Sequence, residues 1–171
     1  DAQQSLTNWL EARKKYYREE PTGIDSYPFD VRKLDEDLKQ IKRKYNFIII
    51  DSPPSITYDT IQIVRSSDKV FIPVQPSPLD LMATVPFLNL VRQERKKMTV
   101  ILNRVMPRAN LTEAMIMRLR YAGAKIARSR ISGKIIYAET FSVGRGVVDI
   151  SVTSDASKEI IKVGNEILRN F

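Results

Sequence analysis

Tyr45-Asn-Phe-Ile-Ile-Ile-Asp-Ser-Pro-Pro-Ser55 is the stretch whose reading decides the fold. Residues 47–50 are four consecutive apolar residues, three of them β-branched, a pattern that suits a strand covered on both faces inside a parallel sheet. Such a strand is expected at the centre of the sheet rather than its edge. It stops at Asp51, and the prolines that follow forbid further ladder bonding and turn the chain. A carboxylate is thereby expected at the carboxyl end of a buried strand, where open α/β sheets bind ligands and where an acid commonly holds magnesium beside a nucleotide phosphate. The competing reading is a strand-end Asp that only caps the next turn.

Working outward, strand-like and helix-like segments alternate. Upstream, Ser5 or Thr7 is a candidate cap for a helix running to about residue 20, with Trp9, Arg13 and Tyr16 or Tyr17 one turn apart as a packing stripe. Residues 22–29 read as irregular, and Asp30 as the cap of a helix over 31–44. Downstream, helix 57–65, strand 69–74, helix 79–93 with a possible kink at Pro86, strand 98–102, helix 111–121 and a short strand at 124–127 follow. A partly helical stretch over 132–141, a Gly144-Arg-Gly146 turn and a helix over 153–171 end the chain. Short links between alternating elements predict right-handed crossovers: an α/β, doubly wound, mostly parallel sheet with helices on both faces, in one domain over residues 1–171.

Composition narrows the chemistry. With no cysteine and no histidine, disulfides, thiolate or zinc centres and a Ser-His-Asp triad are excluded, leaving carboxylates, amines, hydroxyls or a hard metal ion. No apolar run approaches membrane-spanning length and no leader pattern is visible, so a cytoplasmic location is expected. In the last helix Ile160, Val163, Ile167 and Phe171 share a face, but acids and bases mix opposite them, which favours packing on the sheet over membrane binding. The formal charge of +8 is uneven: twelve bases between Arg92 and Lys134 face only Glu94 and Glu113. Such a run is either a solvated surface or the footprint of a polyanion. Within it Arg118, Arg120, Lys125, Arg128 and Arg130 cluster around the end of helix 111–121 and the loop and strand after it, and are the residues expected to touch DNA phosphates.

Four stretches in order, Asp1-Ala-Gln-Gln-Ser-Leu-Thr-Asn-Trp9, Tyr45 to Pro54, Val70-Phe-Ile-Pro-Val-Gln-Pro-Ser-Pro-Leu-Asp80 and Ile101-Leu-Asn-Arg104, resemble the ParA/MinD-type ATPases with a deviant Walker A motif. The likeness is nearest to the small ParA proteins that segregate plasmids, and it implies a P-loop NTPase-like fold. It implies that Asp1 is the switch I acid, with Ala2 where the family usually has proline, and that Asp51 is the Walker B carboxylate. Asp1 and Asp51 would then be the catalytic and magnesium-binding acids, and Ser52, Pro53 and Pro54 the switch II turn sensing the γ-phosphate. Asn103 would bond the adenine, with Pro73 and Pro76 in the base-side or dimer-side wall.

The resemblance further implies ATP and Mg2+ as cofactors and an ATP-dependent homodimer. Non-specific DNA, a nucleoid-associated location and a centromere-binding partner protein complete that picture. No stretch of the form G-x-x-x-x-G-K-[ST] occurs in the 171 residues, so the first strand and phosphate loop are expected to have been removed or to lie upstream of Asp1, and this chain alone is expected not to hydrolyse ATP. Two other readings stand beside it: a non-catalytic DNA-associated or regulatory module of the same fold, and a MinD-like membrane-cycling ATPase.

Overall fold

A computed structural model describes residues 5–18, 23–53, 55–106 and 110–169. Its helices are α1 (Ser5–Tyr16), α2 (Leu34–Ile41, entered through a 3-10 turn at Val31–Lys33), α3 (Tyr58–Ser66), α4 (Pro78–Gln93), α5 (Asn110–Tyr121), α6 (Ile136–Ser142), α7 (Val147–Ile150) and α8 (Asp155–Leu168). The strands are β1 (Lys69–Val74) and β2 (Lys97–Leu102). They pair in parallel, from Lys69 opposite Lys97 to Val74 opposite Leu102. A third row joins β2 through a parallel bridge between Val100 and Ile126.

Strand alternation splits the core into two faces. Ile72, Val74, Val100 and Leu102 point toward α4 and α5, where Leu81, Leu88, Met115, Ile116 and Leu119 close over them. Phe71 and Ile101 point the other way, onto Val163 and Ile167 of α8. The apolar stripe of α8 is thus occupied by the sheet, as its mixed charges predict. Local signals set the helix starts: Thr57 accepts from the Thr60 amide, Ser77 from the Asp80 amide with Pro78 next, and Ser154 from the Ser157 amide. Pro86 sits inside α4 without ending it.

Two expectations are corrected. Ser5 and Thr7 lie within α1 instead of capping it. Residues 47–50 are extended but form no strand ladder among the described residues. Ile48 and Ile50 pack on Leu34, Leu38, Ile41 and Ile63, whereas Phe47 is 52% and Ile49 90% exposed. The segment is therefore covered on one face only. An apolar run becomes a central strand only when two neighbours complete its ladder, and β1 pairs with β2 instead.

The aromatic stripe of α1 packs as read from its spacing. Trp9 stacks on Phe141 at 6.2 Å between centroids, and its indole N–H donates to the Arg145 carbonyl at 3.3 Å. Arg13 Nη1 meets Asp149 Oδ2 at 2.7 Å, and its guanidinium lies over Trp9 and Tyr17. Gly144 has φ +71°, and a Cβ there would run into the backbone of Ala12 and Arg13. The turn expected at Gly144-Arg-Gly146 is thus the seat on which α1 rests.

Candidate functional site

Asp51 follows the half-covered segment and is exposed. Among the described residues it enters no hydrogen bond or ion pair, so its carboxylate is uncommitted and the capping alternative finds no support. The turn after it is pinned from α3: the Thr60 hydroxyl, on a residue 1% exposed, donates to the Ser55 carbonyl at 2.6 Å. Ser52 and Pro53 are half-buried. Asp1 and Pro54 lie outside the described residues. Sequence reading missed the role of Thr60, although Thr57 three residues earlier is a readable helix cap.

The carboxyl ends of β1 and β2 bring a second group together. The Asn103 amide donates to the Val74 carbonyl at 2.9 Å, which ties the residue to the turn after β1 that holds Pro76. Asn103 Oδ1 accepts from the Arg104 amide at 2.9 Å, and Arg104 has φ +51°. The side-chain oxygen thus caps its own turn, leaving the NH2 group as the part able to meet a base edge. Pro73 lies exposed in β1 and Pro76 half-buried beyond it. No group of three or more His, Cys, Asp or Glu side chains able to hold a metal occurs among the described residues. A cation at Asp51 would need oxygens from a phosphate and water, the arrangement magnesium favours.

The five basic residues singled out from sequence do not form one surface. Arg118 and Arg120 are both exposed on α5 but sit two positions apart, about 200° around the helix. Lys125 and Arg128 lie in the third row beside β2, and the Arg128 and Ser129 amides both donate to Glu166 at 2.8 Å. Burial alone would raise the Glu166 carboxyl, but those amides hold it below its ordinary range. Arg130 pairs with Glu113 at 3.1 Å. Their adjacency in sequence crosses a helix end, a loop and a strand, and each element turns its residues in a different direction.

Comparisons with known proteins agree with this architecture. The family model described as AAA domain matches residues 22–104. The maintenance of carboxysome distribution protein A of Halothiobacillus neapolitanus is 26% identical over 98% of this chain and 80% of its own length. The sporulation initiation inhibitor protein Soj of Bacillus subtilis is 28% identical over 81% of this chain and 58% of its own. Among solved structures, the cell division ATPase MinD of Pyrococcus furiosus aligns with a TM-score of 0.70 at 23% identity, over 83% of this chain and 60% of that one. The ParA family ATPase from Chlorobium tepidum TLS aligns with a TM-score of 0.65 at 21% identity, over 78% and 55%.

The fold is that of the MinD and ParA P-loop NTPases, an α/β fold with a parallel sheet and flanking helices. The chain belongs to the ParA/MinD family of partition-type ATPases. It spans just over half the length of Soj, so the activity of a whole protein is a matter for proposal. Among the described residues no helix is long and apolar enough to cross a membrane.

Proposed function

We propose that the whole protein is a ParA-like partition ATPase acting in the cytoplasm on the nucleoid. ATP with Mg2+ drives a homodimer, the dimer binds DNA without sequence preference, and a centromere-binding partner stimulates hydrolysis and release. The observation that carries this reading is Asp51: an exposed, uncommitted carboxylate between a half-covered apolar segment and a turn pinned by Thr60, in a fold shared with MinD and ParA. Magnesium, when bound, neutralises charge on the transferring phosphate. Asp51 would hold it, with Asp1 as the second acid. The Ser52, Pro53 and Pro54 turn would report on the γ-phosphate, and the Asn103 NH2 group would donate to the adenine beside the Pro73 and Pro76 wall. Arg118, Arg120, Lys125, Arg128 and Arg130 are the candidates for phosphate contact, and their dispersal favours several weak contacts over one patch.

The test is ATP turnover by the full-length protein carrying the phosphate loop. Asp51→Ala should abolish magnesium-dependent hydrolysis, and Asn103→Ala should weaken ATP binding and relax the preference for ATP over GTP. Unchanged turnover in Asp51→Ala overturns the assignment. A second reading concerns cargo. The relative aligned over 98% of this chain is named for carboxysome distribution, which favours a protein assembly over a plasmid as the object positioned. Co-purification of the full-length protein with either a plasmid-binding protein or a shell-associated protein separates the two.

A further inference from the structure

The ends of the strands opposite Asp51 and Asn103 carry a second basic feature that sequence adjacency hides. Lys69 and Lys97 are direct partners in the β1–β2 register. Val100 donates to the Lys125 carbonyl at 2.7 Å, and Ile126 bridges Val100, so Lys125 begins the third row. By strand alternation all three lysines share the face of Phe71, Ile101 and Ala127, the face covered by α8. Neighbouring rows lie about 4.8 Å apart, so three ammonium groups converge at the edge where these strands start.

The convergence has a measurable cost. Partial burial, then Lys125 and Lys97, push the Lys69 ammonium below its ordinary pKa, with Glu166 opposing. Like charges directly opposite in a sheet are destabilising. Glu166, the nearby acid, already accepts from two amides. Within the depression between this face and α8, Thr99 is 2% exposed and its hydroxyl has no hydrogen-bond partner among the described residues. An unsatisfied buried hydroxyl costs about 1–3 kcal/mol, so nothing at this edge resembles an arrangement optimised for stability alone.

We infer that Lys69, Lys97 and Lys125 form a phosphate-docking row for the backbone of duplex DNA, at the opposite end of the strands from the nucleotide. This rests on the DNA-binding reading above and moves part of its surface to Lys69 and Lys97, far apart in sequence from Arg118 and Arg120. Point charges spaced a few ångströms apart suit successive phosphates and carry no base recognition. Nucleotide and DNA then occupy opposite ends of one sheet.

The experiment titrates the full-length protein with ATP against two unrelated duplexes at several salt concentrations, for wild type and for the triple variant Lys69→Gln, Lys97→Gln, Lys125→Gln. The triple variant should bind both duplexes roughly tenfold or more weakly, with the log–log salt slope lower by about 0.9 per lysine removed. ATP affinity should not change. The single variant Lys97→Gln should melt at the same temperature or higher, because it takes a like charge away from Lys69. A wild type that binds neither duplex overturns the DNA reading and the row together. A wild type that binds while the triple variant matches it in affinity and slope overturns the row alone. A lowered melting temperature for Lys97→Gln would assign the lysine a purely structural role.

Discussion

Two apolar runs of nearly the same composition meet different fates. Lys69-Val-Phe-Ile-Pro-Val74 and its partner Lys97-Met-Thr-Val-Ile-Leu102 pair in register and bury both faces, down to 0% exposure at Val100 and Leu102. Phe47-Ile-Ile-Ile50, the stronger strand former by composition, buries alternate residues and leaves Ile49 90% exposed. β-Propensity measures how well side chains fit a pleated, covered surface, and it does not supply the neighbour. The segment bearing the candidate catalytic Asp51 is thus the least covered apolar stretch in the chain, and the two strands bearing Asn103 and the proline wall are the best covered.

Core substitutions should expose that contrast most sharply. Leu88→Ala and Leu102→Ala each remove a side chain that is 0% exposed and should destabilise by about 2–5 kcal/mol. Ile49→Ala in this chain should stay within about 0.5 kcal/mol of wild type. Urea midpoints measure both. Repeating Ile49→Ala in the longer protein sharpens the comparison: a cost rising toward the leucine values means that a further strand covers residues 47–50 there. An equally large cost in the short chain would mean that the segment is already buried and break the contrast.

What the sequence made legible follows the range of each signal. Thr57, Ser77 and Ser154 cap helices through contacts three residues long, and the alternation in β1 and β2 needs only the strand itself. These could be read. The pairing of Lys69 with Lys97 depends on register between strands 28 positions apart, and no local pattern encodes it. The seat of α1 on Gly144 is similar: Gly144-Arg-Gly146 reads as a turn, but nothing near it says that Arg13 crosses it to reach Asp149. The candidate site was legible at Asp51 because prolines mark the end of the run. Its counterpart Thr60 was hidden by looking like an ordinary helix residue.

The α1 seat gives the next largest effect and separates a long-range lock from the local cores. Gly144→Ala combines a positive φ with a collision against the α1 backbone and should cost at least about 2 kcal/mol. Arg13→Ala leaves Asp149 partly buried without its partner and should cost about 3 kcal/mol. Both should shift the emission of Trp9, the one tryptophan in the chain, to longer wavelength as it leaves Phe141. A variant that melts early with unchanged tryptophan emission would show that α1 stays docked without this contact.

Acid sensitivity should come from the loop before α6. Burial raises the Glu159 carboxyl, but Lys134 at 2.7 Å, the Ser132 amide, the Tyr137 hydroxyl and the Ser132 hydroxyl outweigh it and hold the group down to about 2 from 4.5. A carboxyl depressed on folding contributes stability above its unfolded value and loses it as pH falls through the folded one. The loss should therefore run from about pH 4.5 to pH 2 and amount to roughly 2–3 kcal/mol. Denaturation at successive pH values should show this slope in wild type and a flatter one in Glu159→Gln. Equal slopes would place the acid-sensitive group elsewhere.

The smallest effect on stability bears most directly on DNA. Glu113 and Arg130 meet at 3.1 Å with side chains 67% and 41% exposed, so solvent screens the pair and Glu113→Gln should change stability by no more than about 0.5 kcal/mol. The same substitution removes the carboxylate that competes with a phosphate for the Arg130 guanidinium. If Arg130 contributes to DNA binding, Glu113→Gln in the full-length protein with ATP should tighten binding about two- to fivefold at low salt and steepen the salt slope by up to about 0.9. Arg130→Gln in that background should cancel the gain, since no cation remains at the site to be released. A Glu113→Gln protein with unaltered stability, affinity and slope would make the pair a solvated ornament of α5 and leave the strand-start lysines as the stronger candidates for the backbone.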